Sequence, residues 1–422
     1  MGGQSLKESW IVVMTAAMFF FYEFIQGNMF NSIAPDIMSE FGLGATRLGW
    51  LTGTYFIANM IFLIPAGYLL DHYSTRKIIL STMIITILGT QLLALTDSYP
   101  IAIVCRFMTG IGAAFCFIAC IRLASRWFPP RRMAFVTGMI VTMAMSGGFV
   151  AQTPLTLLVK LIGWREAMWV NASLGVVIAL LIHAYVKDQP SDKVETVASK
   201  VGIGHTVSLW EGIRRSYFNR QNILAALYTS LMNAPIAVLG AMVGNLFLVQ
   251  VYGLTATKAS YASSAIFLGT IIGSPLVGRL SDHLNMRRLP MLIGAILAAN
   301  AVWLVIAAGE MGLMGWVSLF FALGLLTSTQ VLAYPTVAES NPAVLTATSV
   351  SVVSMLTQGG IALYQPLFGW LLKQHWDGQM QERVPVYSAG DYHLALLMLL
   401  VGVIIAFAAA YFLRETYGNQ QK

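Results

Sequence analysis

Three ionisable side chains stand inside long apolar runs. Glu23, in FFFYEFIQGN, is the only acid placed well inside such a run; Arg106 and Arg122 share another. A charge at mid-bilayer costs at least ~2.5–3.5 kcal/mol on insertion scales, so each needs a partner, water or a task. A buried carboxyl and a guanidinium within reach change each other's proton affinity. An anion that bound the guanidinium would then release or capture a proton. This chemistry assigns proton coupling to Glu23 and Arg106; the alternative is a fixed ion pair tying two helices together. Arg122, nearer the end of its run, either meets substrate or snorkels to the lipid interface. Uncharged polar residues extend the candidate binding set: Tyr22, Gln26, Asn28, Tyr55, Asn59, Gln152, Tyr228, Asn233, Gln330, Gln358 and Tyr364. Each alone reads first as an interhelical hydrogen bond; together they suggest a polar cavity.

A second signal is a repeat. GYLLDHYSTRK at 67–77 returns as GRLSDHLNMRR at 278–288. Gly67, Leu69, Asp71, His72 and Arg76 recur as Gly278, Leu280, Asp282, His283 and Arg287, with Lys77 matched by Arg288. Gly67 and Gly278 would let helices approach closely. Asp71 and Asp282, near helix ends, would accept from backbone N–H groups or pair with Arg76 and Arg287. The expectation is a conformational latch, made in one state and broken in another.

The elements that must position these residues follow from composition. The chain has 422 residues, 57% hydrophobic and 10% charged, against about a quarter charged in soluble domains. Its apolar runs match the roughly 20 residues that cross a bilayer as helix. Twelve spans are expected, at 9–34, 46–70, 77–96, 99–127, 133–160, 166–187, 222–252, 257–279, 288–308, 312–338, 345–373 and 391–413. The first run is expected to be itself a span rather than a separate cleavable leader. The expected domains are an N-terminal six-helix bundle at 1–187, a linker at 188–221 and a C-terminal six-helix bundle at 222–422. Within the linker, Trp210, Ile213 and Tyr217 share one face of a short helix expected to lie on the membrane surface. Lys and Arg collect in the loops that carry the repeated motif, which places that side and both termini in the cytoplasm. At about 1.5 Å per residue, Glu23 lies about 16 Å and Arg106 about 8–10 Å below the outer surface, close enough for long side chains to meet.

Composition also excludes function classes. The net charge of +7 sits between apolar runs, not on one soluble face, so nucleic acid is not a partner. HExxH, a P-loop and metal-spaced His/Cys clusters are absent from the sequence, so neither metal, ATP nor enzyme chemistry is expected. Cys105, Cys116 and Cys120 fall in one span and read as buried apolar residues. The expected partners are a small-molecule substrate and the lipid bilayer, with the protein a monomer, no cofactor, and the proton motive force as driver.

These features together resemble the major facilitator superfamily over nearly the whole chain. GYLLDHYSTRK is similar to its signature loop between helices 2 and 3. RFMTGIGAA (106–114) is similar to its helix 4 motif, and GWR (163–165) and RWFPPRR (126–132) are also familiar in it. The resemblance implies an all-α membrane protein of two six-helix bundles around a central cavity lined by helices 1, 4, 7 and 10, working by alternating access. Its nearest look is to bacterial anion:cation symporters, organic-phosphate carriers and nutrient permeases of the inner membrane. Gly27 stands where those branches often carry Arg, helix 7 has no basic residue, and Ala113 replaces an acid, which disfavours sugar phosphates. Symport of a carboxylate, amino acid or nucleoside is expected. The alternative is a drug or metabolite antiporter, weakened by Ala144 where the helix 5 signature of such pumps has Pro. A transport-dead sensor of the same fold is a third reading.

Overall fold

In lipid no water is present to pair backbone amides, so the apolar runs must close their hydrogen bonds internally and fold as helices. The structure, a computed structural model, describes residues 6–128, 133–189, 214–309, 311–341, 346–381 and 384–417. Polar residues set the boundaries. Ser74 and Thr255 cap helix starts by accepting from the N–H groups of Lys77 and Lys258. Ser388 and Asp391 form a reciprocal capping box. Gly42, Gly253 and Asn285 end helices in the left-handed conformation.

The first half contains α1 (Leu6–Asn28), α2 (Phe30–Phe41), α3 (Ala45–His72), α4 (Thr75–Leu95), α5 (Tyr99–Trp127), α6 (Met133–Val150), α7 (Thr153–Ile162) and α8 (Trp164–Tyr185). The second begins with α9 (Arg220–Pro235), a π-helical turn (Ile236–Val243) and α10 (Gly244–Tyr252), which together make one span. It continues with α11 (Ala256–Leu284), α12 (Arg288–Ala307), α13 (Leu313–Thr327), a 3-10 turn (Ser328–Leu332), α14 (Ala333–Glu339) and α15 (Thr346–Lys373). A small antiparallel hairpin, β1 (Met380–Gln381) and β2 (Val384–Pro385), precedes α16 (Ala389–Phe412). The first, fifth, seventh and tenth spans are therefore interrupted.

Eleven candidate spans are long and apolar enough to cross a membrane among the described residues. The expected span at 345–373 is a 28-residue helix, but it is not one of those eleven. Its run Thr357–Gln358–Gly359–Gly360 and Gln365 are polar or small: Gly359 faces Met60 of α3, while Thr357, Gly360 and Gln365 meet Ser230 and Ala237 of the seventh span. Of the expected interfacial helix, Trp210 and Ile213 lie outside the described residues; residues 214–217 form a helical turn.

The end of the molecule that holds the start of α1 and the end of α16 is here the near face, the opposite end the far face. Buried apolar residues form two clusters. One is confined to the near half of the first bundle, from Val12, Ala66, Ala114 and Ile178. The other joins the far half of that bundle (Met29, Leu48, Leu93, Ala167) to the second bundle (Tyr228, Phe267, Phe320, Leu399). The halves thus share a core only toward the far face. Helices α3 and α15 touch backbone to backbone there: a β-carbon at Gly49 would lie 2.5 Å from the Gln365 carbonyl oxygen, and one at Gly369 2.3 Å from that of Ala45.

On the near side the expectation for Gly67 and Gly278 is corrected. A β-carbon at either would meet nothing within 4 Å, so neither supports a close helix approach in this conformation. Ile64, Leu276 and Leu280 beside them are exposed. The bundles are closed at the far face and separated at the near face.

Candidate functional site

Glu23 is fully buried inside the first bundle. Its Oε1 accepts from Thr86 Oγ1 at 2.7 Å. The Tyr55 hydroxyl lies 3.4 Å from Oε2 and donates to the Glu23 carbonyl at 2.8 Å. The carboxyl fits because position 112 is glycine: a β-carbon there would lie 2.3 Å from Oε1. Arg106, also fully buried, donates from Nη1 to the Gln26 carbonyl at 3.0 Å. Its guanidinium lies 4.6 Å from the Phe30 ring centroid and 4.8 Å from that of Tyr55, close enough for cation–π attraction. Its Nε and Nη2 have no protein partner, and neither does Nε2 of Gln26.

The alternative to proton coupling, a fixed Glu23–Arg106 ion pair, is therefore not formed in this conformation. Among the described residues the ion pairs lie elsewhere. Tyr55 stands between the two, with its hydroxyl on the acid's residue and its ring against the cation. Arg106 fastens α5 to α1 through a carbonyl, just before the break at Met29.

The candidate polar residues divide by location. Tyr22 packs against α8, where a β-carbon at Gly175 would lie 2.6 Å from its ring. Tyr228 is fully buried and donates toward the Met291 carbonyl and Thr329 Oγ1, at 2.9 and 2.8 Å, so its hydroxyl is committed within the second bundle. Gln152 accepts from Asn31 Nδ2 at 2.8 Å, and Asn28 donates to the Phe24 carbonyl. Asn233, Gln330, Gln358 and Tyr364 are part-exposed, on helices that converge: Thr229 donates to the Gln330 carbonyl, and Ser230 meets Tyr364 Oη at 3.0 Å. Oδ1 of Asn59 and Oε1 of Gln358 have no protein partner. Arg122 is half-buried toward the near end of α5.

The repeated motif builds matching near-face joints. Arg76 N–H donates to Asp188 Oδ1 at 2.9 Å, and Ser74 donates to Asp188 Oδ2. In the second half the N–H groups of Arg287 and Arg288 donate to Glu415, at 2.7 and 2.9 Å. Each half thus caps its third span with a carboxylate placed just after its sixth. The Asp71 side chain lies outside the described residues. Arg76 donates to the His183 carbonyl. Arg287 pairs with Asp282 at 2.5 Å and Glu339 at 2.9 Å. Partial burial opposes its charge, but hydrogen bonds and charge attraction from Glu339 and Asp282 hold the guanidinium above its usual range. The Arg287 guanidinium therefore stays charged at any physiological pH.

Sequence reasoning missed the far-face seam. Asn31 Oδ1 accepts from Asn245 N–H at 2.9 Å, and Asn245 Nδ2 donates back to the Asn31 carbonyl at 3.0 Å. Asn31 Nδ2 also donates to the Gly240 carbonyl at 3.0 Å. Thr153 Oγ1 lies 2.7 Å from Ser264 Oγ, Thr46 donates to the Gly369 carbonyl, and Tyr387 Oη accepts from Ala45 N–H at 2.9 Å. These cross-bundle bonds all lie in the far half. The only local signal was a polar residue in an apolar run, as at Asn31 and Asn245.

A family model described as Major Facilitator Superfamily matches residues 15–365. A putative tartrate transporter of Agrobacterium vitis is 22% identical, over 96% of this chain and 90% of its own. A probable sulfoacetate transporter, SauU, of Cupriavidus necator is 25% identical over 47% of this chain and 46% of its own. The multidrug resistance protein Stp of Mycobacterium tuberculosis is 28% identical over 41% and 32%. The chain thus spans less than half the length of these last two. Among solved structures, a bacterial homologue of the human lysosomal transporter Spinster, inward-facing and unoccupied, superposes with a TM-score of 0.77 at 18% identity, covering 97% of this chain and 98% of that one. The nucleoside transporter NupG gives 0.72 at 12% identity, covering 95% and 99%. At such identities these likenesses concern fold alone.

Proposed function

The chain belongs to the major facilitator superfamily of membrane transporters, and from that premise we propose that it is a proton-coupled symporter importing a small polar metabolite by alternating access. The near face is cytoplasmic, the membrane is the bacterial inner membrane, and the working unit is the monomer. The observation that carries this reading is the closed far seam over an open near side, with a buried acid one tyrosine away from a buried arginine. An acid with no cation beside it has its charge balanced by a proton or by movement of Arg106. Substrate enters between the bundles and meets Asn59, Asn233, Gln330, Gln358 and Tyr364. Its anionic group draws on the free donors of Arg106 and Gln26, which shifts Tyr55 and with it Glu23. The relatives named for tartrate and sulfoacetate favour a carboxylate-bearing substrate. Efflux is the second reading, supported by the relative named for multidrug resistance.

Purified protein in liposomes, given an imposed pH gradient and radiolabelled small carboxylates or amino acids, tests the reading. Accumulation above equilibrium, in the direction of proton entry, is expected. Accumulation only against proton entry establishes the antiporter instead.

A further inference from the structure

The seventh span contains a π-helical turn, Ile236–Val243, all of whose residues are buried. π-Helical turns are rare and cluster at functional places. Two features of this one stand out. Gly244, the first residue after it, is the one position where a β-carbon would lie 1.9 Å from the Leu239 carbonyl oxygen, a backbone atom. The turn therefore requires glycine at 244. Second, Asn31 of the other bundle reaches the turn: Nδ2 lies 3.0 Å from the Gly240 carbonyl oxygen and 3.4 Å from that of Leu239. A side chain of one half thus satisfies backbone acceptors of the other. Asn31 is itself two residues past the α1–α2 break at Met29, and it donates to Gln152 at the α6–α7 break. Three interrupted spans meet at this one amide.

We propose that the π turn is a two-state gate element, clasped in its π form by Asn31 when the far face is closed and converting to α-helix when the far face opens. The inference rests on the alternating-access reading. Opening the far seam withdraws Asn31 with the first bundle. The Leu239 and Gly240 carbonyls then lose a donor in a dry environment, where unpaired backbone groups are costly. Closing the turn to α-helix supplies donors from within the span. A π turn holds roughly one more residue than the α turn it replaces, so the conversion turns α10 by about 100° and advances it by about 1.5 Å relative to α9. Tyr228 fastens α9 to Met291 and Thr329, so the movement falls on α10. That rotation carries Asn245 away from Asn31 and from Ser263, to which it is bonded at 2.7 Å. Asn31 is thus a positioning residue for the gate, and Gly244 is what permits the closed form.

Spin labels on Lys160→Cys and Lys258→Cys report the gate, because both positions are exposed at the far face on opposite bundles while Cys105, Cys116 and Cys120 are buried. Distances are measured by pulsed electron resonance in lipid nanodiscs, with thermal unfolding as a check on folding. Gly244→Ala and Asn31→Ala are each expected to raise the long-distance, far-open share at least about fivefold over the parent. Asn245→Ala removes a cross-bundle bond but leaves the clasp on Leu239 and Gly240, and is expected to raise it by less than half as much. Should Gly244→Ala fail to fold, Asn31→Ala against Asn245→Ala decides. An unchanged distance distribution in folded Asn31→Ala, or equal effects of Asn31→Ala and Asn245→Ala, overturns the proposal. Liposomes of wild-type protein that transport nothing would defeat the transport reading, while the distances still report on the switch.

Discussion

Replacing Glu23 by Gln separates the proton from everything else the residue does. The amide has the shape of the protonated acid. Its oxygen can still accept from Thr86 Oγ1, 2.7 Å away, and the Tyr55 hydroxyl keeps its 2.8 Å bond to the unchanged carbonyl. At most one hydrogen bond weakens, worth about 0.5–1.5 kcal/mol, so Glu23→Gln protein should fold and bind substrate. Coupling is another matter. Each pH unit across the membrane is worth a factor of about ten per proton carried. A two-unit gradient should thus drive about 100-fold accumulation in the wild type if one proton moves per substrate, and none in the variant. Exchange of labelled for unlabelled substrate, which needs no net proton movement, should persist at near wild-type rate. The assay is paired uptake and counterflow in proteoliposomes. Accumulation by Glu23→Gln that still follows the pH gradient would refute the assignment of the proton to this carboxyl.

Other outcomes follow from the same geometry. Gly110→Ala puts a β-carbon 2.2 Å from the Tyr55 carbonyl oxygen; overpacking of this kind costs about 1–3 kcal/mol and should lower the unfolding temperature in detergent. Tyr387→Phe removes the acceptor for the Ala45 N–H across the far seam, a loss of about 1 kcal/mol. It should raise the far-open population roughly fivefold in the same spin-label measurement. Glu415→Gln weakens the cap on the N–H groups of Arg287 and Arg288 and should speed hydrogen exchange at the start of α12 by a factor of a few, matching about 0.5–1 kcal/mol, while exchange in α4 stays unchanged.

The architecture was legible because its cause is local. A run of apolar residues answers to lipid wherever it sits in a fold, and a repeated loop shows duplication without any knowledge of contacts. The breaks were less legible: Gly and Pro mark flexible places, but the chain also breaks at Met29, Ala151 and Gln152, where Ser32 of the same bundle donates to the Ala151 and Gln152 carbonyls. The site was legible as a list of residues and not as an arrangement. Glu23 and Arg106 are both buried, and the alternative of a fixed ion pair between them is not formed because Tyr55 contacts each of them instead. Tyr22 and Tyr228 look like ligands in sequence, but both rings face the interior of their own bundles.

Sequence by itself determined that this chain crosses a membrane many times in two related halves, and that few charges lie deep within it, because hydrophobic patterning reports the solvent of each segment. Tertiary structure alone decided which end is shut and which amides hold it. Asn31 and Asn245 are 214 residues apart, and each is an ordinary polar residue until the two bundles bring it against a backbone that needs a partner.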